Sequence, residues 1–451
     1  MKRRNFIKLS LATGTALLAP SFSSAADVDI SGVRFNANTY NTNNAQTIMI
    51  FLYGGPSELS GNITNMPEIK EASQSDYDAY FRGITPTANN FWQEAGGTFM
   101  EELVASGDLN LFRTCYSAHR EETNNKSHGE CVAQNQRGAF REEGSGVFTT
   151  LAQILEAKGV IDQNTVLPFI TMEGESALYA KGDKPLSGYL NPVGVNQNLD
   201  NPYARASDNR WYYYTKTERE IEDYEHNTTA TLNSDMDALA QAQNQDGQIK
   251  EAFKKRGDLE SFINQIKEKA LPEGVSYPDN NAFGEKLQTA INILSANADT
   301  KIISLGNDGL GGWDDHNDAR DYVTRMETLF SALSAANSHI KAEGKENNIS
   351  IMIFGDFGRN VNLNSALGWD HGNNQNFFLL GGKGFFNPLG VVGETELYNP
   401  NRLNRLYLRP KAGSYSFEPL SVAATLYKIY GIENPEVLTG GHKAIESGLF
   451  K

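Results

Sequence analysis

The sequence has few cysteines, few histidines and a deficit of basic residues. Two cysteines, Cys115 and Cys131, stand in 451 residues, so a fold held together by several disulfides is excluded. Only seven histidines are present, which leaves a short set of imidazole ligands. Against 55 aspartate and glutamate residues there are 40 lysine and arginine residues, and the formal net charge is −15. A surface this acidic argues against nucleic acid or anionic lipid as a partner.

Long apolar runs are also lacking. The run at residues 9–19 follows four basic residues and precedes small ones, a pattern typical of a cleaved secretory signal over residues 1–26. This run is too short to span a bilayer and no later run is long enough, so we expect no transmembrane segment in the mature protein. The string RRNFIK, which begins at Arg3, matches the twin-arginine export pattern. We therefore expect export to the periplasm or the extracellular space.

The two cysteines are separated by a short loop. In an exported protein, Cys115 and Cys131 are expected to form a disulfide, which would close a loop of about fifteen residues and stabilise the protein by roughly 3 kcal/mol. Such a bridge would hold in place the loop that carries His119 and His128. The alternative is a pair of buried free thiols.

Strand-like and helix-like patterns alternate along the chain. Residues 27–45 are polar and predict a linker arm, whereas residues 46–451 predict an α/β domain. The predicted strands lie at 46–53, 109–114, 165–171, 300–305, 349–354 and 377–380. We expect a doubly wound, mostly parallel central sheet with helices on both faces. The charge-rich region at about 174–280 predicts a helical cap insertion, with helices at 231–243 and 249–270.

Four of the seven histidines follow predicted strands. His119 and His128 follow the second strand, His316 follows the fourth and His371 the fifth. Because the carboxyl ends of parallel strands share one edge of a sheet, these imidazoles are expected to converge. Asp314 stands two positions before His316, so both side chains can turn toward one ion. Carboxylate with imidazole favours zinc, manganese or iron, and the alternative is that these groups only hold the loops rigid through hydrogen bonds.

Two further loops carry reactive side chains. The stretch at 351–382 places Asp356, Arg359 and Asp370 beside His371 between two apolar runs, which is more typical of a site than of a solvated connection. The loop after the first strand reads GGPSELSGN, and its serines, Ser57 and Ser60, are candidate nucleophiles activated by a metal. The alternative for that loop is a turn chosen for glycine and proline geometry.

These motifs resemble a bacterial, twin-arginine-exported family known as a domain of unknown function (fifteen-oh-one), distantly related to the alkaline phosphatase and sulfatase superfamily. The resemblance rests on GGPSELSGN, on the loop with His119 and His128, on GGWDDH, and on GDFGRNVNLN followed by GWDHG and FFLLGG. It runs from residue 46 to the C-terminus. It implies an alkaline phosphatase-like fold with metal ions at the carboxyl edge of its sheet.

The resemblance also implies metal ligands. The implied ligands of a first ion are Asp314, His316 and His371. A second ion would use Asp356, but Phe357 stands where the family pattern has a histidine, and Ser60 stands where it has an aspartate. His128 is the available replacement ligand. A second ion therefore lacks ligands, and a single-metal site is expected.

Two functional hypotheses follow from the resemblance. The first is an exported, metal-dependent hydrolase of small phosphate or sulfate esters, with zinc, manganese or calcium as cofactor. In it, Arg359 offsets the charge of the transferring group and Ser57 or Ser60 attacks the ester. The second is a non-catalytic binding or assembly protein that keeps the fold with a degraded site and contacts a component of the cell envelope.

Overall fold

The computed structural model describes residues 29–172, 174–182, 193–195, 269–399 and 404–451, and positions 238, 242, 262, 263 and 266. Over this part of the chain, no helix combines the length and the apolarity needed to cross a membrane. The predicted signal at 1–26 lies outside the described residues, as does most of the predicted helical insertion at about 174–280, including most of its helices at 231–243 and 249–270. These assignments stay predictions.

A large mixed sheet forms the centre of the described structure. Its strands are β1 (Gln46–Leu52), β2 (Leu109–Tyr116), β3 (Phe169–Thr171), β4 (Val193–Gly194), β5 (Ile302–Leu305), β6 (Ile349–Gly355), β7 (Asn374–Gly381) and β8 (Val391–Val392). They lie in the order β4-β3-β5-β1-β6-β7-β2-β8. Strand β7 is antiparallel to its neighbours β6 and β2, and the other pairs are parallel. A separate antiparallel pair joins β9 (Thr395–Tyr398) to β10 (Tyr407–Pro410).

The central strands are apolar because both of their faces are covered. Every residue of β1 and β6 is buried, and the two strands pair in parallel from Gln46 opposite Ile349 to Leu52 opposite Gly355. Strands buried on both faces are expected to read as continuous apolar runs. The predicted strands at 46–53 and 349–354 are therefore confirmed to within about one residue.

Helices cover both faces of the sheet. They are α1 (Ala37–Asn43), α2 (Met66–Ala72), α3 (Tyr77–Phe81), α4 (Gly97–Ala105), α5 (Ala118–Thr123), α6 (His128–Arg137), α7 (Val147–Ala157), α8 (Ala282–Ala296), α9 (Tyr322–Ala342) and α10 (Leu420–Ile429). Along β1, Ile48 and Ile50 enter a core shared with α4, α8 and α9. The alternate residues Met49 and Phe51 enter a second core shared with α7 and α10. This two-sided alternation confirms the predicted doubly wound α/β class.

The polar segment at 27–45 is not simply a linker arm. Its described part contains α1, whose first turn is capped by the Asn36 side chain, which accepts a hydrogen bond from the Thr39 amide (3.1 Å). Phe35 forms a bridge with Ile432 near the C-terminus. The sequence of α1 has no apolar periodicity, so its helix depends on the cap and on contacts with distant residues, which a local pattern does not reveal.

The predicted disulfide is wrong. Cys115 lies in β2 and Cys131 in α6, and both are buried free thiols. Burial raises the pKa of the Cys131 thiol to about 11 and raises that of Cys115 further. Both thiols are therefore protonated near neutral pH and act as small apolar side chains, which is the alternative that the sequence left open.

Candidate metal centre

The sheet brings five chain segments to one edge. The carboxyl ends of β1, β2, β5 and β6 lie there, and β7 begins there because it runs in the opposite direction. The loop between β6 and β7 folds back on itself, so that Arg359 and His371 form a bridge and the Gly372 amide donates to the Gly358 carbonyl (2.7 Å). This return places His371, which lies just before β7, next to residues that follow β6.

Four side chains meet at this edge. His128 begins α6, Asp314 and His316 follow β5, and His371 precedes β7; one donor atom from each lies within 4.8 Å of the other three. The Nε2 atoms of His316 and His371 are 2.7 Å apart. Asp314 Oδ1 lies 3.1 Å from His128 Nε2, 3.2 Å from His316 Nε2 and 3.7 Å from His371 Nε2. Three nitrogens and one oxygen thus surround a common point.

An oxygen atom lies near Nδ1 of each of the three imidazoles. His128 Nδ1 lies 2.5 Å from Asp356 Oδ2, and His371 Nδ1 lies 2.7 Å from the Lys126 carbonyl. His316 Nδ1 lies 3.4 Å from Asp370 Oδ1. An acceptor at Nδ1 keeps the proton there and leaves the Nε2 lone pair free, which is how metal-binding histidines are usually oriented. The three Nε2 atoms face the common point.

The electrostatics favour the deprotonated form of two of the four candidate ligands, Asp314 and His371. Burial, together with the nearby Arg359 charge, lowers the pKa of His371 to about 4. Burial alone would raise the pKa of Asp314, but the hydrogen bond and charge of Arg359 outweigh it and the pKa is lowered. For His128, burial opposes the charged form, whereas the contact with Asp356 favours it and the pKa is raised. At neutral pH, Asp314 is a carboxylate and His371 a neutral imidazole, the forms that bind cations.

Asp356 lies outside the four-residue group. Its side chain is fully buried and contacts the centre through His128, and its Oδ1 has no hydrogen-bond partner among the described residues. Its main-chain carbonyl accepts hydrogen bonds from Arg120 Nη1 (2.8 Å) and Asn135 Nδ2 (3.1 Å). This placement makes Asp356 the group that orients His128, and its predicted role as a direct ligand stays a prediction.

Arg359 joins the loops that carry the centre. The side chain is almost fully buried, at 1% exposure. Its Nε donates to the Gly55 carbonyl (2.8 Å) and its Nη1 to the main-chain carbonyl of Trp369 (3.1 Å). Its Nη2 donates to the main-chain carbonyl of Trp313 (3.2 Å) and to Asp314 Oδ1 (2.7 Å). These bonds tie the loops after β1, β5 and β6 together. Arg359 therefore fixes Asp314, whereas its predicted contact with a transferring group stays a prediction.

Glycine is required where the β1 loop passes beneath this centre. Gly54 and Gly55 have φ values of 110° and 70°, in the region that side-chain-bearing residues rarely adopt. A Cβ atom on Gly54 would lie 2.7 Å from the Asp314 amide nitrogen, and one on Gly55 would lie 2.7 Å from the Phe357 ring. The close approach brings the Gly55 carbonyl within reach of Arg359.

The candidate nucleophiles are placed in the interior. Ser57 and Ser60 are buried, at 3% and 1% exposure, and line a small cavity of about 10 Å³ together with Gln375 and Asn376. The Ser57 hydroxyl accepts from the Leu59 amide (3.4 Å). Within the described residues, no hydrogen bond joins either serine to the four-residue group. Their catalytic role stays a prediction.

His119 does not join the convergence predicted for it. Its exposed ring packs on Phe140, with centroids 4.0 Å apart, away from the four-residue group. Phe357, at the position where the resemblance implies a histidine, packs its ring against two imidazoles. Its centroid lies 4.6 Å from that of His128 and 4.4 Å from that of His371.

Sequence reasoning missed Lys126 and the orienting role of Asp356. Lys126 contributes a main-chain carbonyl, which any residue could supply, so its identity gives no signal. For Asp356, the sequence did carry a signal, because it offers no other ligands for a second ion. A carboxylate that lacks such companions and lies near a histidine often orients that histidine.

Fold and site together define an α/β protein with a candidate metal centre of three histidines and one aspartate at the carboxyl edge of its sheet. The chain belongs to the family described as "Protein of unknown function (DUF1501)", whose model matches residues 44–396. The family expected from the motifs is thus confirmed. No curated protein matches the sequence.

Two solved structures resemble this one over most of its length. One is Ps i-CgsB in complex with k-i-k-neocarrahexaose, with 11% identity and a TM-score of 0.37, covering 87% of this chain and 74% of that chain. The other is the phosphonate monoester hydrolase SpPMH from Silicibacter pomeroyi, with 10% identity and a TM-score of 0.34, covering 89% of this chain and 78% of that chain.

Proposed function

We propose that this protein is an exported, metal-dependent hydrolase of phosphate or sulfate esters that uses a single divalent ion. The observation that carries the proposal is the convergence of three oriented imidazoles and one carboxylate within 4.8 Å. The proposed ligands of the ion are His128, Asp314, His316 and His371. The motif resemblance to the alkaline phosphatase and sulfatase superfamily supports ester hydrolysis as the reaction.

The donor set favours zinc, with manganese as the next candidate. Three imidazole nitrogens and one carboxylate oxygen match the ligands and the number that zinc prefers. Calcium takes six to eight oxygen ligands, which this group does not offer. A bound divalent ion supplies positive charge that polarises an ester oxygen and offsets the charge that develops on it.

The protein's own residues leave the centre accessible. The side chain of Asp314 is 50% exposed and that of His316 is 36% exposed, so an ester can reach them from solvent. Overall, water adds its oxygen to phosphorus or sulfur, the bond to the ester oxygen breaks, and the alcohol leaves with a proton. In this scheme Asp356 keeps His128 in one tautomer and Arg359 holds Asp314 in place.

One observation favours the second candidate, a non-catalytic binding or assembly protein. Four protein ligands complete the coordination of a structural zinc ion, whereas catalytic zinc sites usually keep one position open. Within the described residues, no serine, threonine or cysteine side chain makes a hydrogen bond to the side chains of the group. Against this, the side chain of Asp314 is half-exposed, so a substrate can reach this side of the group from solvent.

The test is turnover by metal-loaded protein. Purified protein is freed of metal, reloaded with zinc or manganese, and assayed with 4-nitrophenyl phosphate and 4-nitrophenyl sulfate. We expect turnover of at least one ester only after loading, and a loss of about 100-fold or more in His371→Ala because a ligand is removed. His119→Ala, which removes an exposed imidazole outside the group, is the matched control and should keep full activity.

The outcomes separate the two candidates. Loaded protein that binds one ion and hydrolyses neither ester would support the non-catalytic candidate. Turnover that persists in His371→Ala would show that the chemistry lies elsewhere and would contradict the proposed site.

A further inference from the structure

Tyr53 is the most exposed aromatic side chain in the part of the chain that the structure describes. It follows β1 directly, and every residue of that strand is buried. At 41% exposure, it differs from the phenylalanine, tryptophan and other tyrosine side chains described there, which are buried or half-buried. A single exposed aromatic is common on protein surfaces, so its position in the fold decides what it means.

Tyr53 lies at the rim of the candidate metal centre. Its ring centroid is 5.8 Å from that of His128, and the two ring planes are 46° apart. The next residue, Gly54, passes so close to the loop after β5 that a Cβ atom on it would lie 2.7 Å from the Asp314 amide nitrogen. The ring of Tyr53 is thus next to one proposed ligand, and the main chain that follows it touches another.

The main chain holds Tyr53 in place. Asn307 Nδ2 donates to the Tyr53 carbonyl (2.6 Å), and the preceding Leu52 pairs with Gly355 in β6. The Tyr53 hydroxyl makes no hydrogen bond to any residue that the structure describes. The ring is therefore positioned by its backbone, and the core does not depend on it.

Phe357 is the aromatic residue that packs against the imidazoles from the interior. Its ring is buried, at 1% exposure, and its centroid lies 4.6 Å from that of His128 and 4.4 Å from that of His371. The side chains of Asp314 and His316 are open to solvent, at 50% and 36% exposure. A solvent-facing tyrosine ring beside these ligands is available to a molecule that binds at the centre.

We propose that Tyr53 binds the alcohol part of the substrate, and that this part is a ring, either an aryl or a sugar ring, that packs on the tyrosine. This inference rests on the proposed function. With the phosphate or sulfate group at the centre, a ring attached to the ester oxygen can reach Tyr53 because the tyrosine borders His128. Both kinds of ring present a broad face that removes apolar surface from water when it packs on an aromatic side chain. Esters of short linear alcohols lack such a face and bind less tightly.

Binding of phosphonates tests the inference without turnover, because a phosphonic acid has no ester bond to hydrolyse. Calorimetry on zinc-loaded protein compares benzylphosphonate, the phosphonate analogue of glucose 6-phosphate, and ethylphosphonate. We expect at least one ring ligand to bind about 3- to 10-fold more tightly than ethylphosphonate, as for one aromatic contact. The ring ligand with the larger preference distinguishes an aryl from a sugar ring. Affinities equal to that of ethylphosphonate, or no binding of either ring ligand, would overturn the inference.

Variants of Tyr53 separate the ring from its hydroxyl and from its bulk. Tyr53→Phe should keep the preference, whereas Tyr53→Ala and Tyr53→Leu should lose most of it. Leucine keeps a large apolar side chain beside His128, so this variant carries the test if alanine disturbs zinc binding. The control is Val437→Ala, which truncates the other exposed large apolar side chain of the described residues, at 49% exposure, and should keep the preference. A preference that survives in both the alanine and leucine variants of Tyr53, or is lost in Tyr53→Phe or in the control, would contradict the ring contact.

Kinetics and binding together distinguish failure of this inference from failure of the hydrolase. A ring preference that depends on Tyr53, in a protein that hydrolyses no ester, would support the ring contact and contradict the proposed function. Where an ester is hydrolysed, we expect Tyr53→Ala to raise KM for the 4-nitrophenyl ester by about 3- to 10-fold and to leave kcat nearly unchanged, because the contact is the same in the bound substrate and in the transition state. A fall in kcat at unchanged KM would overturn the binding role of Tyr53.

Discussion

At the scale of single residues, the state of His128 depends on one buried carboxylate. Asp356 is fully buried and lies 2.5 Å from His128 Nδ1. An ionised partner at Nδ1 holds the ring in place and increases the basicity of Nε2, the nitrogen that faces the candidate ligands. The metal affinity of the centre should therefore respond to the charge of a residue that does not contact the ion.

Replacing this carboxylate by its amide tests that dependence. We expect Asp356→Asn to weaken zinc binding by about 10- to 100-fold, because the amide keeps the shape but loses the charge. Competition with a chromophoric chelator measures the affinity. The exposed Asp279→Asn is the control and should bind zinc as the wild type does. Unchanged affinity in Asp356→Asn would mean that His128 is not a ligand.

At the scale of elements, a second buried carboxyl group joins two of the loops. Glu58, in the loop after β1, accepts a hydrogen bond at Oε2 from the Arg359 amide (3.1 Å), and Asn376 Nδ2 donates to its carbonyl (2.9 Å). Burial raises the pKa of Glu58 to about 8. The folded protein therefore holds this group neutral at pH 7, whereas the unfolded chain has it ionised.

This difference gives stability a definite pH dependence. The pKa of Glu58 is higher in the folded protein than in the unfolded chain. Its contribution to the free energy of unfolding is therefore fully present below about pH 4.5 and is lost as the pH rises toward 8. Because Glu58→Gln does not titrate, its free energy of unfolding relative to the wild type should rise between pH 5 and pH 8 by a few kcal/mol, at about 1.4 kcal/mol per pKa unit. Urea unfolding at both values measures it, and parallel behaviour of the two proteins would contradict the assignment.

Much of the sheet could be predicted from local patterns. The runs that became β1, β5 and β6 are apolar over most of their length because both faces are covered. The direction of β7 could not be predicted. Its run is as apolar as that of its neighbours, and only the length of the connection from β6 and the bridge between Arg359 and His371 set its direction.

The site was predictable where residue type carries the chemistry. Asp314, His316 and His371 came from imidazole and carboxylate following strands, and they do converge with His128. Contacts made by main-chain atoms or set by burial leave no trace in residue type. The Lys126 carbonyl and the burial of the serines after β1 are of this kind, as is the packing of α1 against the C-terminal region.

At the scale of the whole molecule, the fold brings cations and carboxylates of an acidic chain to one edge of the sheet. The chain carries a formal net charge of −15, yet Arg359, Lys126 and Arg405 all lie at or beside the carboxyl edge of the sheet. The loops that hold these residues come from distant parts of the sequence, so the site exists only in the folded sheet.

The account predicts a definite metal content. Protein loaded with zinc, passed through a gel-filtration column and analysed by mass spectrometry for metals should carry about one ion per chain, since four protein donors meet at one point. The double variant His316→Ala with His371→Ala should carry none. His119→Ala with His442→Ala, which removes two imidazoles outside the group, should keep the ion. Wild-type protein without metal, or a His316 and His371 double variant that retains it, would contradict the central claim.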